Sequence, residues 1–314
     1  MTLTNAASPL ANRLKKNARH LAKWARREGL EAYRLYDRDI PEFPYAIDRY
    51  GEWLHVQLFE GKRPFTDEDI SAHLAVIADT LELPLARVVL KLRRRQRGTS
   101  QYEKLDLEGP SFTVTERGLK FEVNLHRYLD TGLFLDHRDT RSLVGGLAKD
   151  KTFLNLFAYT GSFTVYAAAG GARRTVTVDM SKTYQAWSWR NLALNGLDDP
   201  KKHDLVASDV LTYLERGARA GDRFDLIVLD PPSFSNSKRM NESFDVQRDH
   251  PALLRSTLKL LAPGGTLFFS NNRQGFKLDP VLSQEWDFVE ITRQTVPEDF
   301  KRRQPHRCWR IQAA

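Results

Sequence analysis

Three aspartates each follow a short apolar run, and aspartates in this position can hold a nucleoside. They are Asp179, Asp209 and Asp230. In doubly wound folds, an acidic residue at the end of the second parallel strand accepts hydrogen bonds from the hydroxyls of a ribose. Asp179 has the position for this role. We therefore expect Asp179 to bind a ribose, and an ordinary turn of a parallel sheet is the alternative.

The third aspartate opens the pentapeptide Asp230-Pro231-Pro232-Ser233-Phe234. Neither proline has a backbone N–H, and both rings fix φ, so the prolines stiffen a loop at the carboxyl edge of the sheet. A carboxylate, rigid carbonyl groups and a nearby aromatic ring can together grip and stack a planar base. Asp230, Pro231, Pro232 and Phe234 are therefore the candidate catalytic residues, and a simple strand-ending turn is the alternative.

The turn that follows the first strand of this region argues against a dinucleotide. It runs from Asn155 to Phe163 and contains one glycine, Gly161. The G-x-G-x-x-G fingerprint, which lets a backbone pack against a pyrophosphate, is absent. The pattern therefore favours a nucleoside without phosphates and disfavours a nicotinamide dehydrogenase.

The elements that must position these residues form an α/β pattern. From about residue 130, apolar strands alternate with helices, which is typical of a parallel sheet between helices. Residues 288–296 and 308–311 then predict a terminal antiparallel pair of strands. The sequence therefore predicts a Rossmann-like domain whose sheet is mostly parallel.

The first part of the chain follows a different pattern. Leucines and alanines at helical spacing predict an N-terminal amphipathic helix. Strand-like runs around one helix over residues 66–83, with Thr66 as its N-cap, then predict a small α+β module. The predicted domains are a basic helix over 1–29, an RNA-binding α+β module over 30–127, and a Rossmann-like domain over 128–314.

Composition excludes several classes of protein. The chain has 48 Lys+Arg and 40 Asp+Glu residues, which gives a formal net charge of +8, and 41% of its residues are hydrophobic. These values are typical of a globular protein, and no apolar stretch approaches the roughly 20 residues of a membrane span. The single cysteine, Cys308, permits no disulfide and no cysteine-rich zinc site. We therefore expect no metal and a cytoplasmic location.

The positive charge is concentrated in short stretches. Seven basic residues and no acid lie between residues 13 and 27, and a second cluster follows the strand over 88–92. Four interpretations of the first cluster are open. It can be a phosphate-binding surface, a solvated helix face, a membrane-surface helix or a transit peptide. The phosphate-binding alternative gains weight if the rest of the chain acts on nucleic acid. The candidate RNA contacts in these clusters are Lys15, Lys16, Arg19, Lys23, Arg93, Arg94, Arg95 and Arg97.

Longer stretches match one family over nearly the whole chain. They are Tyr128–Arg138, Asn155–Phe163, Thr177–Ser181, Asp230–Met240, Phe244–His250, Phe269–Asn272, Arg13–Asn17 and Leu35–Asp37. On these stretches the chain resembles the class I S-adenosylmethionine-dependent methyltransferases that modify large-subunit ribosomal RNA. It is most similar to the guanine-N7 methyltransferase half of the bifunctional bacterial enzymes. The resemblance implies S-adenosylmethionine as cofactor, 23S ribosomal RNA as substrate, and a second methyltransferase domain as a candidate partner.

The resemblance also implies roles for individual residues. In such enzymes the first turn wraps the methionine part of the cofactor, Met180 would pack on the adenine, and Asp209 would accept the adenine amino group. Asp136 and Arg138 are candidates for cofactor or target contacts, and Arg138 could pair with the cofactor carboxylate. The complete set of expected cofactor-binding residues is Asp136, Arg138, Asn155, Phe157, Tyr159, Thr160, Gly161, Phe163, Asp179, Met180, Ser181 and Asp209.

The residues also discriminate between target atoms. Methylation of cytosine C5 requires a thiolate, and the similar cytosine-modifying family has its cysteine where this chain has Asn271. Guanine N7 carries a free lone pair and no proton, so positioning and electrostatics suffice. A site without an evident nucleophile or histidine base therefore fits methylation of guanine N7. We expect Phe234 to stack on this guanine, while Lys238 and Arg239 contact RNA phosphates.

Two other functions stay open at this point. An exocyclic amine such as guanine N2 is a second target, although Ser233 separates the prolines from the aromatic residue that directly follows them in typical amine methyltransferases. A non-catalytic RNA-binding scaffold is a third possibility, against which the three intact aspartates argue.

Overall fold

Two compact units make up the protein. The computed structural model describes residues 8–60, 64–93, 109–128, 130–235 and 243–312. Unit 1 consists of the residues up to Thr131 together with a returning segment, Asp299–Arg303, and unit 2 of Gly132–Glu298 with the residues from Gln304 onward. Within the described ranges, no helix has the length and apolar character that crossing a membrane demands.

Unit 1 is built on a four-stranded sheet with the order β1-β2-β3-β4, in which only the β3–β4 pair is parallel. Leu10, Leu14 and Trp24 of the first helix are buried against this sheet because they recur at helical spacing on one face. The elements are α1 (Ser8–Glu28), β1 (Ala32–Asp37), β2 (Tyr45–Tyr50), β3 (Trp53–Phe59), α2 (Asp67–Thr80), β4 (Val88–Arg93), and a separate hairpin of β5 (Phe112–Glu116) and β6 (Leu119–Val123).

The start of α2 confirms the predicted cap. Thr66 Oγ1 accepts a hydrogen bond from Asp69 N, and the Asp69 carboxylate accepts one from Thr66 N, both at 3.2 Å. This reciprocal pair is a capping box, which satisfies two donors that a helix start leaves open. The helix ends at Thr80, three residues before the predicted end, and Glu82 just beyond it has a positive φ of 56°.

Unit 2 contains a seven-stranded sheet with the order β14-β15-β13-β10-β7-β8-β9. Five strands are parallel, and β15 runs antiparallel to both of its neighbours. The elements are α3 (Arg138–Leu147), β7 (Thr152–Leu156), α4 (Ser162–Ala169), β8 (Arg174–Asp179), α5 (Lys182–Ala193), β9 (His203–Ala207), α6 (Val210–Ala220), β10 (Phe224–Leu229), β11 (Phe234–Ser235), β12 (Phe244–Asp245), α7 (Val246–Leu258), β13 (Leu261–Asn271), α8 (Leu282–Glu285), β14 (Phe288–Glu290), α9 (Thr292–Thr295) and β15 (Arg307–Gln312).

Helices cover both faces of this sheet. Ile227 of β10 packs in a core with α6 and α7, whereas the next residue, Val228, packs in a second core with α3 and α4. Both faces of the central strands are therefore apolar, as a buried parallel sheet requires. The predicted Rossmann-like fold with a terminal antiparallel pair is confirmed. The predicted strand over 288–296 ends at Glu290 because residues 292–295 form a short helix.

Candidate active site

The carboxyl ends of four neighbouring parallel strands deliver the predicted residues to one edge of the unit 2 sheet. The turn after β7 starts at Phe157, Asp179 ends β8, Asp209 follows β9, and Asp230 follows β10. The strand order reverses between β7 and β10. Ligands of open α/β sheets bind in the crevice at such a reversal.

The turn after β7 has a strained backbone that faces Asp179. Phe157 and Tyr159 have positive φ values of 56° and 50°, which L-residues adopt at a cost of about 1–3 kcal/mol each. In this conformation Tyr159 N donates a hydrogen bond to Asp179 Oδ2 at 2.9 Å. Such strain is found at functional sites, where the surrounding structure must hold it in place.

Several contacts hold this turn. The Thr160 hydroxyl donates to Gly132 O at 2.6 Å, and Gly132 N donates to the Tyr159 hydroxyl at 3.0 Å. Gly161 has a φ of 72°, and a Cβ there would lie 2.7 Å from the side chain of Ser188. Gly132, at a φ of 98°, would place a Cβ 2.3 Å from Trp187. Gly132 is therefore a site residue that the sequence did not single out.

Asp179 has the chemistry of a ribose acceptor. Oδ2 accepts from Tyr159 N, and Oδ1 accepts from Ser181 N at 2.9 Å. Each oxygen keeps a lone pair beyond these contacts, so the carboxylate can accept two further hydroxyls. Burial raises the pKa of Asp179 to about 6, although both backbone N–H groups oppose this shift.

This pKa predicts that nucleoside binding depends on pH. Hydroxyl groups donate to the ionised carboxylate, so affinity is lost as the pH falls through about 6. The affinity for S-adenosylhomocysteine should fall by about tenfold between pH 7 and pH 5, because the ionised fraction falls by that factor. Calorimetric titrations across this range test the prediction, and Asp179→Asn should remove the pH dependence. An unchanged pH dependence in the variant would assign the titration to another group.

Other predicted cofactor contacts lie beside Asp179. Met180 is 40% exposed, and Ser181 caps α5 by accepting from Tyr184 N at 3.2 Å. Asp209 caps α6, where its Oδ1 accepts from Thr212 N at 3.0 Å. One carboxylate oxygen of Asp209 is thus used structurally. Contacts of these residues with a cofactor stay predictions.

Three predicted cofactor contacts are interior residues of unit 2. The Asn155 amide is buried and donates to Thr164 Oγ1 at 3.1 Å. Phe163 in the first turn of α4 packs in the hydrophobic core that α3 and α4 share, and Arg138 at the start of α3 is fully buried. Their side chains support the sheet edge from within, so direct contact of these side chains with a cofactor stays a prediction.

The Asp-Pro-Pro-Ser-Phe loop presents an aromatic ring and a carboxylate. Phe234 is 42% exposed and pairs with Asp245 in the short β11–β12 ladder. The Ser233 hydroxyl donates to Asn272 Oδ1 at 2.6 Å, which ties the loop to the end of β13. The Ser270 hydroxyl donates to Asp230 Oδ1 at 2.6 Å. The loop therefore carries an exposed aromatic ring and a fixed carboxylate, and their contact with a planar base stays a prediction.

A buried histidine lies beside Asp230 and a second one stacks on it, so the expectation of a site without a nearby histidine is wrong. His137 Nε2 is 3.4 Å from Asp230 Oδ2. The His137 ring stacks on His306 with centroids 4.3 Å apart, and His306 Nδ1 is 3.0 Å from Asp136 Oδ2. Burial lowers the pKa of His137, against the influence of Asp230 and Asp136. The neutral ring is therefore favoured.

Asp136, His137 and His306 also form a group whose ligand-type atoms lie within 4.8 Å of one another. Imidazole nitrogens bind metals in the plane of the ring. Because the two rings are stacked with only 14° between their planes, their lone pairs do not converge on one ion. The geometry favours a hydrogen-bonded cluster over a metal site.

The predicted RNA contacts divide into three groups. Lys15, Lys16, Arg19 and Lys23 are exposed and, with Asn12 and His20, line a shallow depression on α1. The Arg93 guanidinium contacts Asp130 at 3.1 Å and Gln57 at 2.7 Å, which engages it within unit 1. The remaining candidates, Arg94, Arg95, Arg97, Lys238 and Arg239, lie outside the described residues.

Comparisons with known proteins agree on one class of enzyme. A family model described as S-adenosylmethionine-dependent methyltransferase matches residues 54–303. The chain is 51% identical over 308 residues to ribosomal RNA large subunit methyltransferase K of Neisseria meningitidis serogroup B, and the match covers 97% of this chain and 87% of that protein.

Solved structures extend this similarity to the fold. One structure, described as a methyltransferase complexed with SAH, is 26% identical with a TM-score of 0.79, over 98% of this chain and 82% of that chain. A second, described as an S-adenosylmethionine-dependent methyltransferase from Streptococcus mutans, is 26% identical with a TM-score of 0.77, over 98% and 81% of the two chains.

Proposed function

Because the chain belongs to the family of S-adenosylmethionine-dependent methyltransferases, we propose that it methylates N7 of a guanine in 23S ribosomal RNA. One observation carries the choice of target atom. The only cysteine, Cys308, is fully buried in β15, and burial raises the pKa of its thiol. The site therefore offers no thiolate for carbon methylation, and a target atom with its own lone pair fits best.

The cofactor fits the residues of the sheet edge. The enclosed Asp179 carboxylate, with a free lone pair on each oxygen, matches the two hydroxyls of the adenosyl ribose. The strained turn from Phe157 to Gly161 would enclose the methionine part. When bound, S-adenosylmethionine supplies an activated methyl group on a sulfonium.

The protein's role in transfer to N7 would be positioning and electrostatic stabilisation. In this transfer the N7 lone pair would form a bond to the methyl carbon while the S–C bond breaks. The electrons of the S–C bond would remain on sulfur, and N7 would lose no proton. One positive charge passes to the base in this step. Phe234 would stack on the guanine, and the Asp230 carboxylate would stabilise the developing charge. The base must be splayed from its RNA helix to reach this loop.

Two features support ribosomal RNA as the substrate. The relative from N. meningitidis is named as a methyltransferase of large-subunit ribosomal RNA, at 51% identity. The exposed face of α1 carries Lys15, Lys16, Arg19 and Lys23, while the opposite face is buried in the core of unit 1. A row of cations along one exposed face of a helix suits RNA phosphates.

Analysis of the reaction product tests the proposed target. Large-subunit ribosomal RNA from a strain that lacks this gene would be incubated with the protein and labelled S-adenosylmethionine, then digested to nucleosides. Labelled 7-methylguanosine is the expected product. Labelled 5-methylcytidine or N2-methylguanosine would overturn the assignment to N7, and the labelled fragment would identify the nucleotide.

An exocyclic amine, such as guanine N2, is the second candidate because of one observation. An amine loses a proton on methylation, and the Asp230 carboxylate, whose Oδ2 lies 3.4 Å from His137 Nε2, offers an acceptor for it. Transfer to N7 makes no such demand. The same nucleoside digest separates the two candidates.

The basic face of α1 yields a quantitative prediction. The triple change Lys15→Glu, Arg19→Glu and Lys23→Glu should weaken RNA binding by at least about tenfold and reduce the slope of log affinity against log salt concentration by about three. Fluorescence anisotropy with labelled RNA at several salt concentrations measures both values. S-adenosylhomocysteine affinity should stay unchanged, because the changes lie in unit 1.

A triple change with the same charge difference provides the control. Lys149, Lys201 and Lys202 are exposed and precede the amino ends of β7 and β9, at the edge of the sheet opposite the site. Their replacement by glutamate should weaken RNA binding much less. If both triple variants lost affinity equally, net charge rather than the α1 face would determine RNA binding.

A further inference from the structure

Asp230 is held by two neighbours that are more deeply buried than itself. Ser270 donates to Oδ1 at 2.6 Å, and His137 Nε2 lies 3.4 Å from Oδ2. Ser270 and His137 are 2% and 5% exposed, whereas 24% of the Asp230 side chain is exposed. The buried side chains of Ser270 and His137 therefore support the partly exposed carboxylate from beneath.

The proton of His137 can be placed from its surroundings. Nδ1 is enclosed and has no hydrogen-bond partner among the described residues. Burying an N–H group without an acceptor is costly, so a neutral ring places its proton on Nε2. We assign this tautomer, in which His137 presents an N–H group to Asp230.

His306 fixes the plane of the His137 ring. His306 Nδ1 donates to the Asp136 carboxylate at 3.0 Å, since a carboxylate can only accept. His306 Nε2 lies 3.1 Å from Thr295 Oγ1. With both nitrogens engaged, His306 stays in place under His137, with their ring centroids 4.3 Å apart. The stack therefore limits the directions in which Nε2 of His137 can point.

We propose that His137 is a positioning residue, which holds the Asp230 carboxylate in a fixed orientation for the target base. This role rests on the proposed methylation of guanine, where positive charge develops on the base during transfer. A charged group stabilises such a transition state most when its orientation is fixed before the reaction. His137 and Ser270 supply that fixed orientation, one for each oxygen of Asp230.

A double-mutant cycle between His137 and Asp230 tests the proposal. His137→Phe should lower the single-turnover rate by about 10- to 100-fold, which is within the range of coupling energies between polar groups in contact. The KM for S-adenosylmethionine and the calorimetric affinity for S-adenosylhomocysteine should stay unchanged. If His137 acts through Asp230, then adding His137→Phe to Asp230→Asn should cause no further loss of rate.

Two further variants separate positioning from a general effect on folding. The amide of glutamine can place a donor near the position of the imidazole Nε2, so His137→Gln should recover most of the rate lost in His137→Phe. The matched control is His203, a buried histidine at the start of β9. Its Nδ1 lies 2.9 Å from Thr175 Oγ1. His203→Phe should change the thermal midpoint and leave the rate constant unaltered.

Specific outcomes would overturn the proposal. One is a double variant whose rate is lower than that of Asp230→Asn by the full factor that His137→Phe causes on its own. A second is an equal loss of rate in His137→Phe and His137→Gln. A wild-type product other than 7-methylguanosine would instead overturn the proposed function. The cycle would still report whether His137 acts through Asp230, so the two failures are distinguishable.

Discussion

Asp179→Ala is expected to weaken the binding of S-adenosylmethionine by about 100- to 10,000-fold. The carboxylate is the proposed acceptor for both ribose hydroxyls, and each hydrogen bond to a charged group contributes about 1.5–3 kcal/mol. The alanine also leaves Tyr159 N and Ser181 N without their acceptor. Calorimetry with S-adenosylhomocysteine measures the loss directly and does not depend on an RNA substrate.

An aspartate at the opposite edge of the sheet serves as the control for this variant. Asp204 lies in β9 and pairs with Arg174 on the surface. Because exposed ion pairs contribute little, Asp204→Ala should leave both affinity and stability nearly unchanged. If Asp179→Ala bound the cofactor as tightly as Asp204→Ala does, the ribose would have to bind elsewhere on the sheet edge.

Asp230→Asn is expected to lower the rate of methyl transfer by about 100- to 1,000-fold while cofactor affinity stays the same. The change keeps the size of the side chain and removes the negative charge that would stabilise the methylated base, and losses of this order follow from removing one preorganised electrostatic group. Single-turnover measurements with saturating RNA and cofactor isolate the transfer step. The amide can still accept from Ser270 Oγ, so the loop should keep its position.

The comparison with Phe234→Ala separates charge from stacking. Loss of the exposed ring should weaken RNA binding, since stacking of a base on an aromatic side chain contributes about 1–3 kcal/mol. Asp230→Asn should instead leave RNA affinity close to that of the wild type. An Asp230→Asn variant with normal rate and reduced RNA affinity would show that the carboxylate binds the substrate without stabilising the transition state.

Much of the fold could be predicted from the sequence because its signals are local. The apolar strands of unit 2 are buried on both faces, so they read as continuous hydrophobic runs. The cap at Thr66 needs only residues three positions apart. Asp179 and Asp230 could be placed at the sheet edge because every parallel strand of such a sheet ends there.

The histidine cluster could not be predicted in the same way. Asp136 and His306 are 170 positions apart and meet because β15 runs antiparallel into the sheet, which brings the residue before it to the carboxyl edge. No spacing rule relates the two positions. The buried position of Asn155 likewise depends on Thr164, a partner in the interior of unit 2. The strand pattern placed Asn155 at the start of the turn but did not give the direction of its side chain.

The returning segment Asp299–Arg303 has a consequence for synthesis of the chain. Its Asp299 carboxylate accepts from Arg34 N at 2.9 Å, and the Arg34 guanidinium lies 4.5 Å from the centre of the Phe300 ring. The main part of unit 1 ends at Thr131, yet it lacks these partners until a ribosome has added about 170 further residues. At about 5–20 residues per second, this delay is roughly 10–35 seconds. Unit 1 therefore stays without this segment until residues 132–298 of unit 2 have been synthesised, and a fragment ending at Thr131 would never acquire it.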